Sequence, residues 1–236
     1  MKKLFLLSFL SIILFSCSSL ELEAVSSSEE ETQKILALGL SHEENLVEAS
    51  KLKSKHMISV VTLQLNNARD EKIQYQSDLI ESEKLAEMVK VSNEGLSFTG
   101  PKVSNTISNI LSTAPVLQNY YIEGSKGSIN ESIEHLLNIT YIYSSNKGRS
   151  YSSANLCDEW GRCETLLQKI SDSSLSFDNC SSSSCDYIES FELNLSDEIL
   201  RNSINKGLTI RLISKNDTDK VNISVAYLMG YLKVAK

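Results

Sequence analysis

Apolar and polar positions change rhythm along this 236-residue chain, and each change marks an element. Leu4 to Phe15 is an apolar run interrupted only by Ser8 and Ser11, behind the cationic Lys2 and Lys3. Residues 18 to 31 are polar and acidic, without periodic apolar positions, and read as a flexible tether. From Thr32 to about Lys55, Leu46, Val47 and Ala49 keep the three-to-four spacing of a helix face, with a break expected near Gly39. Met57 to Leu65 is rich in β-branched residues, alternates loosely around Ile58, Val61 and Leu63, and predicts a strand with much of both sides covered. Residues 66 to 78 read as loop or turn, and Leu79 to Val91 as helix.

Val103, Ile107, Ile110 and Leu111 repeat at helical spacing, and Pro115 ends the short amphipathic helix they predict. The clearest strand follows, with Ile133, His135, Leu137, Ile139, Tyr141 and Tyr143 on one face at strict period two, and Tyr120 to Ile122 as its partner. Tyr187, Glu189, Phe191, Leu193 and Leu195 begin another strand. Ser196 is placed to cap a helix whose first turn holds Asp197 and Glu198 and whose end is Gly207. Leu208 to Ile213 and Val221 to Val225 predict a hairpin, and Val225, Leu228, Met229 and Leu232 a terminal helix. The sum is an α+β fold, mainly an antiparallel sheet or sandwich with short packing helices, in one domain over residues 32–236.

The amino-terminal apolar run is too short to span a bilayer permanently, and it has the charged front and small-residue exit of an export signal. Leu14-Phe15-Ser16-Cys17 resembles the lipobox of bacterial lipoproteins, in which the cysteine receives diacylglycerol before the signal is removed. That resemblance covers this segment alone. It implies a signal peptide over residues 1–16, acylation of Cys17 with palmitate-type chains, and residues 17–31 as a lipidated tether. Ser18 in place of aspartate implies sorting to the outer membrane of the bacterial envelope, facing the periplasm or the surface.

Loss of Lys2 and Lys3 with the signal leaves 21 basic against 30 acidic residues, a net charge of −9. Such a body is poorly suited to nucleic acid or to anionic lipid, so membrane attachment is expected through the acyl chains on Cys17. Four further cysteines, Cys157, Cys163, Cys180 and Cys185, fall within one stretch, 157–185, and in an exported chain are expected to form two disulfides. Three pairings are open; a returning loop favours Cys157 with Cys185 and Cys163 with Cys180. The spacing departs from that of structural zinc knuckles, and no metal or cofactor is expected.

Histidine chemistry is sparse. Ser41-His42-Glu43-Glu44-Asn45-Leu46 begins like a zinc-protease helix but has Leu46 where the second ligand must stand, so His42 reads as a solvated helix residue. His56 has no evident partner, and His135 reads as a packed histidine on a strand face. No G-x-S-x-G elbow or phosphate-binding loop occurs, and three S-x-x-K matches, at Ser50, Ser144 and Ser203, lack their companion motifs. Asp217-Thr218-Asp219 reads as turn chemistry.

Trp160, the single tryptophan, lies with Arg162 between Cys157 and Cys163. Burial of large aromatics favours Trp160 as the local core of its loop, and contact of Trp160 and Arg162 with a partner is the other reading. The function expected is therefore that of a non-enzymatic envelope lipoprotein binding a protein or surface component. Two alternatives stand beside it: a hydrolase built around His135, or a carrier of lipid or another small ligand.

Overall fold

The computed structural model describes residues 27–104, 116–128, 130–170, 173–215 and 217–236. The expected signal segment, Cys17 and the first part of the expected tether lie outside these residues, as do Ile107, Ile110, Leu111 and Pro115 of the helix expected after Val103. Val103–Ser104 forms a short strand. Among the described residues the chain divides into two compact units, one running to Gln76 and the other from Ser77 to Lys236.

The first unit contains α1 (residues 27–36), α2 (His42–Ser50) and most of α3 (Lys55–Met88). Residues 27–31, read as tether, are helical: Ser28 is buried, and Thr32 Oγ1 donates to the Ser28 carbonyl at 2.9 Å and also lies 2.5 Å from Gln64 of α3. Gly39, at φ +66°, makes the expected break, and Ser41 opens α2 with a capping box closed by Glu44. The strand expected over Met57 to Leu65 and the loop expected over 66 to 78 are both α3. Val61 and Leu65, four apart, are buried against Ile35 and Ala49, so a helical stripe of apolar contact overrides the β preference of the branched residues.

The second unit starts with the last turns of α3 and holds two antiparallel sheets. The larger has the order β1 (Lys90–Ser92), β2 (Ser97–Thr99), β4 (Val116–Ser125), β5 (Glu134–Ser145), β9 (Cys185–Leu195), β8 (Ser173–Asp178), with β3 (Val103–Ser104) also paired to β4. The smaller has the order β11 (Thr218–Ile223), β10 (Leu208–Ile213), β6 (Ser153–Leu156), β7 (Thr165–Lys169). The fold is α+β, as the periodicities predict.

The period-two face of β5 is the centre of this unit. His135, Leu137, Ile139, Tyr141 and Tyr143 are all buried, and β9 lies beside them with His135 opposite Leu195 and Tyr143 opposite Tyr187. The two ends of β5 are covered differently. Near its start the terminal helix α5 (Val225–Val234) packs down, with Tyr227 edge-on to Tyr120 and Tyr231 edge-on to His135. Near its end the small sheet closes the core, with the Tyr141 hydroxyl donating to the Lys220 carbonyl of β11. Gly230 allows α5 to cross the end of α3, because a Cβ there would stand 2.7 Å from the Ser82 carbonyl oxygen. Ser196 caps α4 (Asp197–Asn202) by accepting from Ile199 N, as expected, and Gly207 follows at φ +74°.

Candidate functional site

The pairing of the cysteines decides the geometry of the candidate site. Cys157 joins Cys163, and Cys180 joins Cys185, so the nested pairing favoured by the sequence is not formed. The reason is topological. Cys157 and Cys163 flank the β6–β7 connection of the small sheet, whereas Cys180 and Cys185 flank the β8–β9 connection of the large one, so each bridge closes its own hairpin.

Within the first bridge the loop is organised by Asp158. Its Oδ1 accepts from the backbone N–H groups of Trp160 at 3.0 Å and Arg162 at 2.8 Å, and its Oδ2 accepts from Arg162 Nε at 2.7 Å. Backbone bonds from Asp158 N to Arg162 O and from Gly161 N to Asp158 O complete the turn, with Gly161 supplying φ +76°. Loss of solvation pushes the Asp158 carboxyl upward, but the hydrogen bonds from Arg162 and Trp160 outweigh it and hold its pKa below the usual value. At the base, Cys157 N donates to the Thr209 carbonyl, and the Cys163 carbonyl accepts from Asn155 Nδ2 and Arg211 Nη2.

With the turn held from inside by Asp158, the Trp160 side chain faces outward, and the residue is 76% exposed. The expectation that Trp160 forms the core of its loop is therefore overturned. Hydrogen bonds to Asp158 hold the loop, and Cys163, 2% exposed, is its buried anchor. Arg162 stays on the surface, its guanidinium committed to Asp158. Beside the loop opens a cleft of about 450 Å³, walled by Leu156, Asp158 and Glu159 on one side and by Ile199, Ser203 and Lys206 on the other. A lining with apolar residues and both signs of charge, next to an exposed aromatic ring, suits recognition of another molecule's surface.

Asp158 was not singled out by the sequence, and Lys206 entered only through the unsupported S-x-x-K match at Ser203. For Asp158 a signal was present: an Asp four residues before an Arg, with Gly161 between them, is turn chemistry with an ion pair across it.

His135 has both a carboxylate and a hydroxyl in reach. Its Nε2 lies 3.2 Å from Asp197 Oδ1, and its Nδ1 lies 3.0 Å from the Tyr231 hydroxyl. The carboxylate, also held by Arg201 Nε at 2.6 Å, can only accept, so Nε2 carries the proton and Nδ1 accepts from Tyr231. Burial lowers the His135 pKa more than the Asp197 carboxylate raises it, so the ring is neutral. This is an acid, a base and a hydroxyl in line, but the His135 side chain and Tyr231 are both 0% exposed, leaving no room for a substrate at the hydroxyl. The triad ties α4 and α5 to β5. Between sheets and helices, Tyr141, Tyr227, Tyr231, Leu137 and Leu193 fill the interior where a carried ligand would need a cavity.

The remaining candidates sit apart. His42 is half-buried, with Nε2 3.0 Å from Asn66 Oδ1, and His56 is exposed. Asp217 and Asp219 both pair with the Arg149 guanidinium, at 3.5 and 2.9 Å. Among the described residues no three His, Cys, Asp or Glu side chains converge as metal ligands, and no helix is long and apolar enough to cross a membrane. No family model, curated protein or solved structure matches this chain.

Proposed function

We propose that this chain is a non-enzymatic lipoprotein of the bacterial cell envelope, anchored through acyl chains on Cys17, whose body binds a protein or surface component through the loop closed by Cys157 and Cys163. The observation that carries the binding role is the outward Trp160 on a loop fixed by a covalent bridge and by Asp158. Exposing so large an apolar side chain to water is unfavourable, whereas a rigid aromatic loses little entropy on binding. The lipobox-like Cys17, the acidic balance and the two bridges support an exported, lipid-anchored chain. Ser18 supports the outer membrane as its destination.

The binding role is tested by crosslinking the membrane-anchored protein in cells and comparing its partners with those of Trp160→Ala and Arg162→Ala. A hot-spot truncation costs about 2 kcal/mol or more, roughly a thirtyfold loss of affinity, so the Trp160→Ala adducts should nearly vanish. Identical adducts from wild type and both variants remove the loop from the proposal. Anchorage is tested separately: Cys17→Ser should abolish labelling by palmitate and move the protein out of the membrane fraction. A wild-type chain that takes up no label refutes the lipoprotein reading.

A further inference from the structure

A sheet edge is a row of unpaired N–H and C=O groups, and chains protect such edges with lysine, proline, bulges or brevity. The edges of this protein differ in that respect. β1, β7 and β11 carry Lys90, Lys169 and Lys220, and β3 is only two residues long. β8, the end strand of the seven-stranded sheet, reads Ser173-Ser174-Leu175-Ser176-Phe177-Asp178 and contains no basic residue and no proline. Its register with β9 is unbroken from Ser173 opposite Phe191 to Asp178 opposite Asp186, so no bulge turns the edge aside. Leu175, beside Gly148, is 40% exposed and Phe177, beside Tyr187, 67%, and among the described residues no strand other than β9 pairs with β8. The Cys180–Cys185 bridge closes the hairpin that presents it.

From this unprotected edge we infer that β8 pairs with β8 of a second copy of the chain, antiparallel about a two-fold axis at Ser176, continuing the large sheet across two molecules. The strand is self-complementary in that register. Leu175 stands opposite the partner's Phe177 on one face, and Phe177 opposite the partner's Leu175. Ser176 faces its own copy on the other face, and Ser174 faces the partner's Asp178. The one charge in the strand therefore meets a hydroxyl rather than its own copy, and two apolar pairs that are exposed in the single chain cover each other. A slip of one residue in either direction places Leu175 against Ser176 or Asp178 instead. Six residues extend only about 20 Å, so the buried area falls below the roughly 1,200 Å² of a stable complex, and the dimer is weak and concentration-dependent.

The test uses the full-length chain in detergent, carrying Ser176→Cys and oxidised at high-micromolar concentration. A dimer band on a non-reducing gel is expected from Ser176→Cys, and no more than background from Ile188→Cys, one strand inward on the same face. Adding Phe177→Lys to Ser176→Cys should cut the band at least tenfold while the circular dichroism and melting curve stay unchanged, since residue 177 is mostly exposed. Absence of the band at every concentration, equal bands from residues 176 and 188, or a band insensitive to Phe177→Lys overturns the inference. Trp160→Ala leaves this band unaltered, so failure here is distinct from failure of the partner-binding loop.

Discussion

Replacing His135 with leucine removes the acceptor that the buried Tyr231 hydroxyl uses, and its cost can be worked from the geometry. Leucine fills most of the volume of the imidazole, and Asp197 keeps its partner Arg201 at 2.6 Å, so the principal loss is the 3.0 Å bond from Tyr231 to His135 Nδ1. A buried hydroxyl left without a partner costs about 1–3 kcal/mol, and at roughly 2–4 °C per kcal/mol for a domain of this size the melting temperature should fall by about 2–12 °C. Tyr231→Phe in the same chain removes the orphaned group, so the double variant should regain much of the loss. The assay is thermal and urea unfolding of wild type, single and double variants, at neutral pH and again near pH 5. In the folded state burial lowers the His135 pKa, so below about pH 6.5 the unfolded chain takes up a proton that the folded chain refuses. Wild type should therefore lose stability as pH falls through that window, down to the lowered folded-state pKa, and His135→Leu should lose less. The Asp197 carboxyl, held low by Arg201 and His135 against the upward push of burial, contributes stability that disappears only at more acidic pH. A single variant as stable as wild type, or a double variant no better than the single, would refute the assignment of Tyr231 as donor to a neutral His135.

Three further outcomes follow from named contacts. Gly230→Ala should destabilise by up to about 2 kcal/mol in chemical unfolding, because overpacking of roughly 1–3 kcal/mol against the Ser82 carbonyl and Leu85 Cβ is offset by only about 1 kcal/mol of helix propensity. Glu189→Ala should cost about 2–5 kcal/mol, since it strands the Tyr143 hydroxyl and the Tyr151 N–H, both bonded to its carboxyl at 2.9 Å. Glu189→Gln, which keeps one acceptor, should cost less by the same measurement. Replacing Cys157 and Cys163 together with serine should lower stability by about 2 kcal/mol through loop entropy, and should weaken partner crosslinking through Trp160 by a larger factor.

What the sequence determined by itself was whatever is written in local spacing. The period-two face from Ile133 to Tyr143, the Ser196 cap, the hairpin before Val225 and the terminal helix could all be read because each depends on neighbours within a few residues. Only the tertiary structure decided what depends on residues far away. Met57 to Leu65 is helical because Val61 and Leu65 meet Ile35 and Ala49, a partnership that overrides β-branched composition and that no window on the segment contains. The cysteines pair within hairpins because the two sheets separate Cys157 and Cys163 from Cys180 and Cys185, and sheet order is not a property of spacing. Trp160 faces water because Asp158 satisfies the loop from within, and His135 is sealed because α4 and α5 return onto the first residues of β5. Local rhythm fixes an element only where distant packing agrees with it, whereas burial and pairing are set by what arrives opposite once the chain has closed.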